Sequence, residues 1–256
     1  MIVPALVDWF YGSQNWPAFV GSSMATLFVG SILFLTNKGS ATEHLELRQA
    51  FLLTNSAWIS IALFGSLPFL LSDIDMSFID AFFESTSGIT TTGATVIENL
   101  EAKSHGILIW RALLQWLGGV GIIVMALAVL PMLSIGGMQL FKTESYETPD
   151  KVVPKAASFA AGISIVYITL TVIWAFMLWG AGMPTFDSIA HAMTTLATGG
   201  YSTKSESLAA FNSSTIEIII IFGMLVGSLP FVHYLALTKN GMKNLIKDDQ
   251  VKLFLT

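Results

Sequence analysis

Cysteine is absent from all 256 positions, which excludes disulfides, thiol catalysis and cysteine-ligated metals. Charge is scarce. Only 11% of residues are Asp, Glu, Lys or Arg, where a soluble domain carries about 25%. The N-terminus has no basic region and no Ala-x-Ala cleavage site, so no signal peptide is expected. No nucleophile–base set, nucleotide fingerprint or metal-ligand spacing occurs. The chain is therefore not expected to be an enzyme, to carry a cofactor or to bind nucleic acid. What remains is apolar: 54% of residues are hydrophobic, a composition that points to an integral membrane protein. The net charge of −5 says little about partners, because its placement matters more than its sum.

Long uncharged runs carry the organisation. Met1 to Trp16 is mixed and reads as a membrane-surface segment. Pro17 to Thr36 is long enough to span a core of about 30 Å at about 1.5 Å per residue. Gln49 to Ser72 is a second span, with Pro68 bending its last turns. Gly106 to Leu133, interrupted by Arg111 and Gln115, is a third; Ala156 to Met183 is a fourth; Thr215 to Leu237 is a fifth. Two shorter pieces, Ser77 to about Thr90 and Thr185 to Ala197, are too short to cross and read as half-helices that enter and stop. Ser77 and Asp80 resemble a capping box opening the first, and Pro184 suits the start of the second.

A polar stretch follows each half-helix. Thr90-Thr91-Thr92-Gly93-Ala94 follows the first, and Thr198-Gly199-Gly200-Tyr201 follows the second. Gly200 lies 107 positions after Gly93, and Asp187 lies the same distance after Asp80. Self-similarity at a fixed offset indicates duplication. The predicted fold is all-α and membrane-embedded: five transmembrane helices plus two re-entrant pore half-helices with filter loops. One extra N-terminal helix (residues 1–47) precedes two parallel span–pore loop–span repeats, 48–142 and 143–256.

Basic residues set the orientation. Lys38, Arg48, Lys142, Lys151, Lys155, Lys239, Lys243, Lys247 and Lys252 fall on one side, against Lys103 and Lys204 on the other. Positive-inside bias places the larger set in the cytoplasm, with the N-terminus outside and the C-terminus inside.

The loops suit a dehydrated alkali cation. Such an ion needs several oxygens in place of its water, and aligned backbone carbonyls supply them. Glycine permits the required angles, and threonine adds a hydroxyl. The candidate ligands are Thr91, Thr92, Gly93 and Ala94, with Thr198, Gly199, Gly200 and Tyr201. The half-helix C-termini add a negative dipole end. A Gly/Thr turn outside the membrane is the plain alternative; its recurrence after a second half-helix favours a pore loop.

Single residues carry competing readings. Arg111 either snorkels to the outer interface or pairs with an acid such as Glu84 to brace the loop. Asp73, Asp75, Asp80, Glu98 and Glu101 read as solvated caps and turns, or as a cation-concentrating mouth. His191, at the place of Glu84 in the second repeat, His233 and Glu217 read as structural or interfacial. Gly118, Gly119 and Gly121 favour close helix packing over hinge motion. Trp9, Trp16, Trp110 and Trp179 are expected in an outer aromatic belt.

Asp80 to Val96 resembles the first pore loop of the Trk/Ktr/HKT superfamily, and more closely that of its bacterial Trk-type potassium uptake subunits. Gln115 to Val124 and Ile135 to Leu140 are similar to the same proteins, and Ala197 to Thr203 resembles their second loop. The likeness covers nearly the whole chain. It implies potassium as the transported ion, because a glycine in each loop of that family accompanies potassium preference; Gly93 and Gly200 are the matching positions. It also implies a bacterial inner-membrane location and a cytosolic nucleotide-binding regulatory partner of the TrkA type. The departure is in number: family members carry four repeats, and two are found here. The chain resembles an N-terminal half, so conduction is expected to need a homodimer or a complementing half. The alternative is a non-conducting fragment or assembly module.

Overall fold

The computed structural model describes residues 1–38, 47–133 and 152–229, with Phe231 and Tyr234. Most of the polar loop 134–155, the Ile135 to Leu140 motif, His233 and the basic tail lie outside the described residues. Every regular element among the described residues is helical. In chain order they are α1 (Ile2–Phe10), α2 (Trp16–Thr36), α3 (Leu47–Gly65), α4 (Leu67–Leu71), α5 (Phe78–Ile89), α6 (His105–Leu133), α7 (Val152–Gly180), α8 (Thr185–Leu196) and α9 (Ser214–Ser228). Short 3-10 turns occupy Leu100–Ala102 and Ser207–Phe211.

Three segments are long and apolar enough to cross a membrane: Trp16–Thr36, Phe51–Leu71 and Ala160–Gly180. Each has 21 residues, about 31 Å of helix, which matches the hydrocarbon thickness. α2 buries Phe19 and Ser22 yet exposes Leu27, Phe28, Leu33 and Phe34. A helix apolar on all sides needs an apolar solvent. The chain is a membrane protein.

The described residues form two compact units, one of Met1–Gly119 with Gly199–Asn212 and one drawn from Val120–Thr198 with the segment after Ser213. In the first unit the α3–α4 break is decisive. Proline at position 68 has no N–H to continue the ladder, and Phe69 N–H turns back to the Ser66 carbonyl (3.1 Å). The Gly65 carbonyl is left to accept the Trp110 indole N–H at 3.0 Å. Trp110 is therefore buried, edge-on to Phe19 with centroids 6.5 Å apart. This corrects its placement in the aromatic belt: a buried indole needs an acceptor, and the helix break supplies one. Trp9, Trp16 and Trp179 are exposed, as a belt requires.

α1 turns Ile2, Val3, Leu6, Trp9 and Phe10 outward and buries Pro4, Ala5 and Asp8. The Asp8 carboxylate accepts from the Gly106 N–H and from the Ser104 hydroxyl (3.1 Å), so it caps α6 from another helix. Burial raises its pKa above the usual carboxylate value.

In the second unit Ile163, Tyr167, Leu178, Met183 and Leu196 form the core. The Trp174 indole N–H donates to the Ile219 carbonyl at 3.0 Å. Each unit thus contains an indole that ties one long helix to the backbone of another.

Candidate functional site

The site is built on α5. Ser77 caps it: the hydroxyl accepts from the Asp80 N–H (3.2 Å) and donates to the Asp80 carboxylate (2.7 Å). Asp80 lies in the first turn, where the positive end of the helix favours an acid. The helix has 12 residues, about 18 Å, too short to span. Its end is set by three consecutive threonines, whose β-branching weakens helix propensity. Thr91 N–H bonds the Gly88 carbonyl (3.0 Å) and Thr92 N–H bonds the Ser87 carbonyl (2.9 Å). These are the two bonds of a Schellman ending, in which a left-handed residue follows the cap. That residue is usually glycine; here it is Thr91, at φ 56°.

α8 repeats the pattern. It also has 12 residues, starts after Pro184 and carries Asp187 in its first turn. It is buried from Asp187 to Leu196 except at Ile189. Thr198 N–H bonds the Thr195 carbonyl (3.0 Å), and Thr198 sits at φ 52°. Two residues beyond each threonine comes a left-handed glycine, Gly93 and Gly200, both at φ 80°. Both loops therefore run positive, negative, positive in φ at positions 107 apart. A β-branched residue in the left-handed region is an outlier, and such strain persists only when the surroundings hold it.

The first loop is held by charge. Glu84, one turn before the end of α5, is fully buried. Its carboxylate accepts from Arg111 Nε at 2.7 Å, from the Thr95 hydroxyl at 2.9 Å and from the Val96 N–H at 3.0 Å. Arg111 is 1% exposed, so it braces the loop and does not snorkel. Its Nη1 donates to the Ser202 carbonyl (2.9 Å), and its guanidinium lies 4.1 Å from the centre of the Tyr201 ring. The Tyr201 hydroxyl bonds the Glu84 and Ala94 carbonyls at 3.0 and 3.1 Å. The Ser87 hydroxyl also donates to Ala94 (2.6 Å). One turn beyond Arg111, Gln115 Nε2 donates to the Gly199 carbonyl (2.8 Å), and its Oε1 accepts from the Tyr201 N–H (3.0 Å). Glu84, Arg111, Gln115 and Tyr201 all hold hydrogen-bond partners here, the condition under which buried charge is tolerated.

Close packing completes it. A β-carbon at Gly93 would overlap the Gly199 carbonyl oxygen, and one at Gly118 would overlap the Ile89 carbonyl. Gly118 lets α6 lie against the C-terminal end of α5. Gly200 has open space around it and needs glycine for its φ alone.

The structure thus brings Thr91, Thr92, Gly93 and Ala94 into one unit with Gly199, Gly200 and Tyr201; Thr198 belongs to the other unit. His191 occupies the place of Glu84 in α8, and its Nδ1 lies 2.8 Å from the Asp187 carbonyl, one turn back in the same helix. Three of the outer acids hold local bonds: Asp73 accepts from the Asn15 side chain, Asp80 accepts from the Ser77 hydroxyl at the start of α5, and Glu101 accepts from the Ser205 N–H (2.8 Å) and hydroxyl (2.6 Å). Those bonds hold the Glu101 pKa below the usual carboxylate range. Sequence reasoning missed the contacts of Gln115, the Tyr201 hydroxyl and Asp8. The available signal was a polar residue in an apolar helix at positions 115 and 8.

Fold and site together define a membrane protein, all-helical among the described residues, with two short helices that end in Gly/Thr loops. The family model described as TrkH, cation transport protein, matches residues 16–255, and the chain belongs to that family. These are transport proteins and not enzymes. The chain is 39% identical over 259 residues to the Trk system potassium uptake protein TrkH of Salmonella typhimurium, covering 100% of this chain and 53% of that protein. It is 34% identical to TrkG of Escherichia coli K12, covering 100% and 53%. The crystal structure of the potassium transporter TrkH from Vibrio parahaemolyticus superposes with a TM-score of 0.88 at 37% identity, covering 99% of this chain and 52% of that one. The chain spans about half the length of the curated relatives it matches.

Proposed function

We propose that the chain supplies two of the pore loops of a Trk-type potassium uptake subunit in a bacterial inner membrane. The residues are Thr91, Thr92, Gly93 and Ala94 from the first loop and Thr198, Gly199, Gly200 and Tyr201 from the second. The observation that carries the proposal is the shared φ sequence of the two loops. In a regular strand successive carbonyls point to opposite sides. Reversing the sign of φ at every second residue turns alternate peptide planes over, so that consecutive carbonyls face one side. That is the arrangement a dehydrated cation needs. The Ala94 carbonyl already accepts from the Ser87 hydroxyl and shares the Tyr201 hydroxyl proton with the Glu84 carbonyl, so it is engaged within the loop. This narrows the expected ligand set: Ala94 anchors the first loop, and the carbonyls before it coordinate.

In this arrangement α5 and α8 are pore half-helices whose negative ends favour the ion. Four of the five spans form two parallel repeats, 48–142 and 143–256, after the extra segment 1–47, which holds the first. The N-terminus faces outward and the C-terminus faces the cytoplasm, where a nucleotide-binding regulator of the TrkA type docks. The membrane potential or a coupled ion drives the ion inward.

A second reading is favoured by one fact, the coverage of about half of each relative. There the chain conducts only with a complementing half or as a homodimer, and alone is an assembly module. Expression in a strain lacking potassium uptake separates the two. Growth at low potassium with this chain alone supports the working pore and sinks the inert module. Growth only with a complementing half supports the second reading. In either case Gly93→Asp is expected to abolish rescue at unchanged membrane abundance; retained rescue removes the loop from the pathway.

A further inference from the structure

Gln115 bonds two peptide groups of the second loop at once, from a helix 84 positions earlier. It is fully buried, and both ends of its carboxamide are taken up by the loop's backbone. The two bonds are of opposite kind. Nε2 donates to the Gly199 carbonyl, and Oε1 accepts from the Tyr201 N–H. Together they bracket Gly200, whose backbone is left-handed and whose β-carbon position faces open space. A β-carbon at Gly199 would overlap the Gln115 carboxamide, so glycine at 199 lets Gln115 approach the loop this closely.

We propose that Gln115 is a specificity-determining positioning residue, which fixes the peptide planes of Gly199 to Tyr201 and thereby the second loop's preference for potassium over sodium. The proposal rests on the pore-loop function above. Gln115 touches no ion; it acts through the Gly199 carbonyl, whose direction and electron density a donated hydrogen bond sets. Removing the donor lets that plane rotate, and a loop free to contract accepts a smaller cation.

The isosteric pair of variants separates the two bonds. Gln115→Glu keeps an acceptor for the Tyr201 N–H and sets a carboxylate oxygen against the Gly199 carbonyl. Gln115→Met loses both bonds at similar volume. Two readouts are needed: hydrogen exchange at the Tyr201 amide of the purified chain, and the ratio of rubidium to sodium uptake in cells where the chain supports growth, alone or with its complementing half. Gln115→Met is expected to speed Tyr201 exchange at least tenfold and to lower the uptake ratio severalfold. Gln115→Glu is expected to lower the ratio while leaving Tyr201 protected, which a merely structural role does not produce. If Gln115→Met fails to accumulate, Gln115→Glu carries the test. Unchanged exchange in Gln115→Met overturns the clamp. An unchanged uptake ratio in both variants, with Gly93→Ser altering it, overturns the specificity role and leaves the pore loop standing. An unchanged ratio in Gly93→Ser as well removes the pore-loop function itself.

Discussion

The two loops share a backbone and differ in what holds it. α5 and α8 are equal in length, end in the same left-handed threonine and lead to a glycine at the same φ. Yet Glu84 in α5 reaches out to Arg111, Thr95 and Val96, while His191 in the matching place of α8 bonds the carbonyl one turn back. Gly93 is fixed by conformation and by a neighbouring backbone; Gly200 is fixed by conformation only. Conformation repeats between the loops and side-chain chemistry does not. A strained backbone has more than one way to be held, and the scaffold around each loop is free to diverge.

The sharpest way to break the comparison is to remove the charge pair. Arg111→Gln leaves the Glu84 carboxylate buried and unpaired, and loss of one partner of such a pair costs about 3–5 kcal/mol. His191→Gln alters the bond to the Asp187 carbonyl, worth about 1 kcal/mol. Thermal melting of the purified variants in detergent is expected to show a far larger drop for Arg111→Gln. Equal drops would erase the distinction between the two loops.

Next come the glycines. Gly93→Ala meets both the left-handed penalty and the Gly199 carbonyl, about 3 kcal/mol together. Gly200→Ala meets the conformational penalty alone, about 1 kcal/mol. Folded yield after extraction is expected to fall for the first and to stay near wild type for the second. A reversed order contradicts the packing at Gly93.

The threonines sharpen what the loops share. Thr91→Gly and Thr198→Gly each relieve about 1 kcal/mol of left-handed strain, partly offset by chain entropy. Both are expected to melt at or slightly above wild type and to lose cation discrimination, measured as rubidium against sodium uptake. A large loss of stability in either would show that the threonine side chain, and not the backbone, is the element required.

The smallest effect is at the outer edge. The Glu101 pKa is depressed by its bonds from Ser205. A depressed acid contributes stability above its ordinary range, and the contribution is lost as pH falls through the depressed value. Melting measured from about pH 6 down to pH 3 is expected to fall less steeply in Glu101→Gln than in wild type. Identical slopes would remove the latch between Glu101 and Ser205.

Much of this was legible in the residues. The spans at 16–36, 51–71 and 160–180 follow from uncharged runs, and the start of α5 follows from Ser77 and Asp80. The Arg111–Glu84 pair was visible as one of two alternatives, because a lone arginine in an apolar helix needs a partner or a way out. Trp110 was misplaced: its hydropathy fits an interface, and only the broken ladder at Ser66 reveals the acceptor inside. The reach of Gln115 to Gly199 and of Tyr201 to Ala94 spans 84 and 107 positions, and no local periodicity encodes a contact of that range. The left-handed threonines were hidden because glycine is the usual residue at such an ending.

A double-mutant cycle at Glu84 and Arg111 tests the buried brace most directly. Glu84→Gln, Arg111→Gln and the double variant are purified in detergent and unfolded, and their free energies are compared. If the two side chains hold the first loop as a pair, each single change is strongly destabilising and the double is little worse than either, a coupling of about 2 kcal/mol or more. Additive losses, with coupling near zero, would show that Glu84 and Arg111 act independently and would contradict the brace.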